Sequence, residues 1–254
     1  MLKAIDVNCY IGDWPFRKLH RNTMEDLKRI HMENDIGYGY VSSINSIFYN
    51  DPFEGEEDLH EAIRNTPYKH TMTINPRLPE YRQDIDKGIR QLAVRGVKIF
   101  PGYHGYSLQD EALEELCAIL AGCGLPLFVV VRLEDERLNY IMKPVPPSKE
   151  EICGFIRNHR QNTIVLLSML YGELTACRDC ILEAENVFFD TSGTRNLFGI
   201  EQLAESFPAE KIMYGSQFPL YCLKSSFLMV DRAQIDEQDK GRIFCQNARN
   251  NLPK

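Results

Sequence analysis

The sequence has no apolar run near the roughly 20 residues that a bilayer-spanning helix needs, so no membrane span is expected. It has no block of basic residues. Its 29 lysines and arginines stand against 36 aspartates and glutamates, a formal net charge of −7, and a nucleic-acid-binding surface is not expected either. A G-x-S-x-G nucleophile elbow is absent. So is a Walker or dinucleotide glycine loop, which leaves nucleotide chemistry without its usual cradle. No signal-peptide core precedes the strand-like opening "MLKAIDVNCY", and the expected location is the cytoplasm. Cysteine is present but scattered, at 9, 117, 123, 153, 177, 180, 222 and 245. Several of these fall inside apolar helix or strand patterns, where a thiol serves as a small hydrophobe. A reduced interior is the simpler expectation. "CRDC" (177–180) lacks a second pair or a nearby histidine and reads as helix packing rather than as a zinc or redox motif.

What is there is ordinary globular composition, 44% hydrophobic and 26% charged over 254 residues, enough chain to bury most of its apolar surface. Short β-branched and aromatic runs alternate with longer helical patterns. Strands are expected at 3–10, 38–44, 69–75, 94–100, 126–133, 163–170, 187–192 and 211–217. Helices are expected at 23–34, 56–65, 81–93, 110–122, 149–159 and 173–184, with one or two more in 222–250. Runs such as "LFVVV" are apolar on both faces, as in a parallel sheet covered by helices. Eight strand–helix units with no linker predict one domain, 1–254, folded as an α/β (β/α)8 TIM barrel. "KPVPPSKE" (143–150) is then a proline-rich loop on the catalytic face.

Several stretches, in order, resemble the amidohydrolase-related branch of the amidohydrolase superfamily, which also contains metal-dependent decarboxylases. They are "AIDVNCYIG" (4–12), "RGVKIFPGYHGYSLQDEALEELCAILAGCGLPLFV" (95–129), "TIVLLSMLYGE" (163–173), "VFFDTSG" (187–193), "KIMYGSQFP" (211–219) and "CQNARNNL" (245–252). The resemblance implies a barrel whose strand ends hold one or two divalent metals, since a metal lowers the pKa of bound water and polarises a carbonyl. It implies ligands from two histidines of the first strand, one each of the fifth and sixth, and an aspartate of the eighth. Those positions here hold Asn8, Tyr10, Val130, Met169 and Gln217. An amide, a phenol, an alkyl group, a thioether and a second amide hold a hard or borderline cation poorly against water. The expectation is therefore no metal and no cofactor. Asn8, Tyr10, Met169 and Gln217 are expected to converge in one pocket, with Lys98 beside them.

Other polar residues fall at the expected mouth. Lys98, inside the fourth strand, is either an amine nucleophile or a buried ammonium paired with Asp6 or Asp190. His104, in "GYHGY" on the loop after that strand, is an acid–base group or a hydrogen-bonded surface residue. Arg17 and Arg132 bring positive charge. Arg132, within a strand, needs either an anionic ligand or an internal partner such as Asp6 or the acidic run 134–136. "DTSGTRN" (190–196) and "GSQFP" (215–219) follow strands seven and eight, where barrels often bind phosphate. Three functions remain open. The first is a family member that binds a small anionic ligand through Asn8, Arg17, Arg132, Met169, Asp190 and Gln217. The second is a metal-independent lyase or hydrolase using Lys98, His104 or Tyr10. The third is a metal-dependent hydrolase or decarboxylase with unrecognised ligands. A homo-oligomer is compatible with all three.

Overall fold

The computed structural model describes residues 3–135, 137 and 142–254. Eight strands form one sheet in sequential order, each parallel to the next: β1 (Ala4–Ile11), β2 (Ile36–Ser43), β3 (Lys69–Thr73), β4 (Gly96–Ile99), β5 (Leu127–Val130), β6 (Ile164–Leu167), β7 (Val187–Asp190) and β8 (Ile212–Met213). The sheet curls shut through backbone bonds from Val7 N–H to the Tyr214 carbonyl (2.9 Å) and from Gln217 N–H to the Asn8 carbonyl (2.7 Å). The fold is a (β/α)8 barrel.

Two buried layers follow from the period of two along each strand. Val97, Ile99, Leu127, Val129, Ile164, Leu166, Val187, Phe189 and Ile212 face outward and pack under helix residues such as Leu27, Leu116, Ile156 and Leu203. Ile5, Val7, Tyr40, Phe128, Val130, Val165, Leu167, Phe188 and Met213 fill the interior. β1 departs from strict alternation. Its register against β2 shifts between Asp6 and Cys9, a bulge-like irregularity of the kind that re-aims side chains. Val7 lies in the inner cluster, Asn8 bonds across the interior, and Cys9 and Tyr10 then alternate outward and inward.

Helix starts follow local chemistry. Thr23, Asp51, Asp110 and Ser148 cap helices Met24–Glu33, Pro52–Ile63, Glu111–Cys123 and Lys149–Asn158, each accepting an otherwise unpaired backbone N–H. Ser148 and Glu151 form a reciprocal capping box. Two expectations need correction. The helix expected at 173–184 is two, Tyr171–Ala176 and Arg178–Leu182, broken at Cys177. The all-reduced interior is not observed: Cys153 and Cys180 form a disulfide with a Cα–Cα separation of 5.6 Å. Among the described residues no helix is long and apolar enough to cross a membrane.

Candidate active site at the barrel mouth

Asn8 is the hub of the barrel's polar floor. Its Nδ2 donates to Asp190 Oδ2 (2.9 Å), Ser168 Oγ (3.1 Å) and Ser192 Oγ (3.1 Å). Its Oδ1 lies 3.5 Å from Lys98 Nζ. The Lys98 ammonium also sits 4.1 Å from the Tyr10 ring centroid, a cation–π contact strengthened by desolvation. Asn8, Tyr10 and Lys98 have no exposed surface. Burial lowers the Lys98 pKa to about 8, opposed by Cys9, Asp190, Asp6 and Glu56. Burial also raises the Asp190 carboxyl, against the hydrogen bonds it receives from Ser168, Ser192 and Asn8. The Tyr10 phenol is pushed well up by burial and by Asp190, and stays neutral.

Local backbone shapes this floor. Ser168 holds φ 61°, and its N–H donates to Asp190 Oδ1 at 2.7 Å. That left-handed residue breaks the alternation after β6. The Ser168 hydroxyl therefore reaches Asn8, and Met169 packs in the outer layer. The expectation that the Met169 side chain joins the pocket is thereby corrected. Gly215 is needed because a Cβ there would stand 2.2 Å from Asp190 Oδ2. Asp6 faces the other side of β1. It accepts the Asn8 and Ser216 N–H groups, both at 3.0 Å, and meets His31 Nε2 at 3.3 Å. Lys98 thus hydrogen-bonds to Asn8, and neither acid expected as its partner makes that bond.

Gln217, at φ 57°, closes the floor from above. Its Nε2 donates to the carbonyls of Arg132 (3.0 Å) and Leu133 (2.9 Å), and its Oε1 accepts from Arg195 Nη2 (2.7 Å). Arg195 in turn stacks 3.4 Å from the Tyr221 ring centroid. Next to this lid lies a cavity of about 360 Å³. Phe16, Tyr103, Val131, Arg132, Leu133, Glu134, Asp135 and residues 142–146 line it, so the proline-rich loop forms one wall. Arg132 Nη2 bonds Glu173 Oε1 at 2.5 Å. Arg17 Nε bonds Glu134 Oε1 at 2.8 Å, and its Nη2 bonds the Leu220 carbonyl. The ion-pair partner found for Arg132 among the described residues is thus Glu173, not Asp6, Glu134 or Asp135, and Glu136 lies outside the described residues. His104 ends a one-turn helix, Pro101–His104. Its Nε2 donates to the Ile47 carbonyl at 3.0 Å, and burial lowers its pKa. It lines neither floor nor cavity.

Ser168 and Glu173 are site residues that the sequence reading passed over, since they depend on a dihedral or on a partner distant in sequence. Ser192 and Arg195 fall within "DTSGTRN" (190–196), read as a loop after the seventh strand, without being named there.

Residues 77–253 match the profile of the family described as Amidohydrolase. The chain belongs to that amidohydrolase family. No curated protein sequence matches this amidohydrolase-family chain. In structure it is similar to an uncharacterised TIM-barrel protein from Bordetella bronchiseptica, at TM-score 0.76 and 16% identity over 98% of both chains. It is similar also to a 2,6-dihydroxybenzoate decarboxylase from Rhizobium, at TM-score 0.73 and 13% identity over 98% of both chains. A third similar structure is a dihydroxybenzoic acid decarboxylase from Polaromonas with bound manganese and the inhibitor 2-nitroresorcinol. There the TM-score is 0.74 and the identity 13%, over 98% of this chain and 96% of that one. At these identities the structural likeness establishes the fold.

Proposed function

We propose that this amidohydrolase-family barrel binds a small aromatic carboxylate in the cavity beside Arg132, with no divalent metal at the barrel centre. One observation carries the reading. Where the family would hold its metal stands the ammonium of Lys98, 3.5 Å from the Asn8 amide oxygen and 4.1 Å from the Tyr10 ring centroid. A divalent ion on that oxygen, at about 2.0–2.6 Å, would face a like charge in a dry, low-dielectric floor. The remaining donors are poor ligands. Asn8 and Gln217 turn N–H groups toward their neighbours, and Asp190 is the carboxylate that the Asn8 side-chain amide bonds. Among the described residues, groups of three or more potential ligands occur at Asp6, Cys9 and His31 and at Cys153, Cys177 and Cys180. Neither group includes a residue of the floor. The residues present do not fit the family's metal.

The cavity supports the ligand class. Its volume, about 360 Å³, lies at the lower end of the range for small-molecule sites. Phe16, Tyr103, Val131 and Leu133 give it apolar walls suited to a ring. Arg132, whose Nη2 bonds Glu173, and Lys143 place positive charge on a lining that also carries Glu134 and Asp135, and a carboxylate ligand would take the place of Glu173 on the planar Arg132 fork. The decarboxylases of similar fold act on compounds of this shape, by their names. Lys98, with a pKa near 8, has the chemistry of an amine nucleophile. It and Tyr10 are buried and do not line the cavity, so the reading gives them the task of holding the floor.

Thermal denaturation with benzoate or 2,6-dihydroxybenzoate tests the binding. A ligand at a hundred times its Kd stabilises the native state by about 2.7 kcal/mol, which raises the midpoint of a chain of this size by several degrees. Arg132→Ala should fold and lose that rise, while acetate should give little of it. No rise with any aromatic carboxylate, or an equal rise in Arg132→Ala, contradicts the proposal.

A further inference from the structure

Three cysteines of the outer layer, two on helices and one at a helix junction, converge on one point. Cys153 lies on helix Lys149–Asn158, Cys177 at the junction of helices Tyr171–Ala176 and Arg178–Leu182, and Cys180 on the second of these. Their sulfurs all lie within 4.8 Å of one another, and all three residues are buried. Two of the sulfurs are joined as the Cys153–Cys180 disulfide. A staple between two helices uses two sulfurs and gives no reason for a third beside it. Three sulfurs this close can also ligate an ion.

We propose that, once the disulfide is reduced, Cys153, Cys177 and Cys180 form a three-thiolate site for cuprous copper. Reduction by a dithiol breaks the S–S bond. The dithiol supplies two electrons and two protons and leaves as its own disulfide, and the chain gains two thiols. On binding, the ion displaces the thiol protons to solvent, and no further redox step is needed. Sulfurs that share one ion at about 2.3 Å stand about 4 Å apart. The backbone already holds the three side chains that close, so the reduced pair has only to separate. The choice of ion follows from the donors. Three soft sulfurs select a soft cation. Hard ions want oxygen ligands, and zinc in a structural site takes four ligands. Among the described residues no fourth histidine, cysteine, aspartate or glutamate joins the group. Three-coordinate cuprous copper needs none.

The test uses the full chain, reduced with a dithiol, freed of it without oxygen, and titrated with cuprous ion against a coloured chelator. The expected result is one copper per chain with thiolate-to-copper absorption in the near ultraviolet. The unreduced chain and Cys177→Ser should lose this tight binding. The double variant Cys123→Ser/Cys222→Ser, at two exposed cysteines, should keep it. X-ray absorption on the wild-type complex gives a reading independent of any variant's folding, and three sulfur neighbours are expected. Binding unchanged in Cys177→Ser, binding lost in the Cys123/Cys222 variant, fewer than three sulfurs around copper, or displacement of copper by equimolar zinc would each overturn the proposal.

Discussion

Lys98 carries its charge where it has no exposed surface, and this sets how it contributes to stability. Burial lowers its pKa from 10.5 to about 8, while the unfolded chain keeps the ordinary value. Between about pH 8 and 10.5 the unfolded state therefore binds more protons, and stability from this residue rises with pH across that window. Below pH 8 the amine is charged in both states and the full cost of burying it is present. The difference in unfolding free energy between wild type and Lys98→Met, followed by urea denaturation, should rise by about 3 kcal/mol from pH 8 to 10.5. A flat difference would show that the ammonium is not desolvated. The position of Lys98 was legible because strand alternation places it in step with inward residues. Asn8 and Tyr10 were legible from the order of the family-like stretches. Ser168 was not: its left-handed φ of 61° exchanges the roles of neighbours, and nothing in "LLSML" marks it. The partners of Arg132 and Arg17 were also hidden, since Glu173 and Glu134 reach them only once the loops have folded.

At the level of elements, the strands were read to within a few residues because each is a short apolar run between polar breaks. Helix starts capped by Thr23, Asp110 and Ser148 were read to within one residue. The helix Pro52–Ile63 begins four residues before its expected start, although Asp51 and Pro52 spell the cap and first-turn chemistry. The helix Gly199–Ser206 escaped notice. It begins after Phe198, at φ 57° and without a side-chain cap. The loop after β8 depends on a residue with no Cβ, Gly215. Gly215→Ala would place a methyl 2.2 Å from Asp190 Oδ2, and overpacking of this kind costs about 1–3 kcal/mol. Gly172, inside helix Tyr171–Ala176, has nothing within 4 Å of an added Cβ. Gly172→Ala should therefore stabilise, by about 0.5–1 kcal/mol. Chemical denaturation of both variants reads the contrast. Equal effects, or a tolerated Gly215→Ala, would argue against the close packing of the floor.

For the whole molecule, eight repeated strand–helix units leave few ways to cover a parallel sheet, so the barrel was readable from one sequence. The chemistry at its mouth was less so, because a ligand position reports its meaning only through its neighbours. Gln217 illustrates this. In sequence it is an amide where the family resemblance implies a ligand. In the fold it is a strut between the Arg132 and Leu133 carbonyls and Arg195. The account as a whole rests on Lys98 and this amide network standing where a divalent ion would be. Equilibrium dialysis of the chain against manganese tests it most directly, because a hard ion leaves the cysteine cluster aside and one of the similar decarboxylase structures contains manganese. The account predicts well under one manganese per chain near neutral pH, unchanged in Asn8→Ala. One tightly bound manganese per chain, lost in Asn8→Ala or Asp190→Asn, would contradict it.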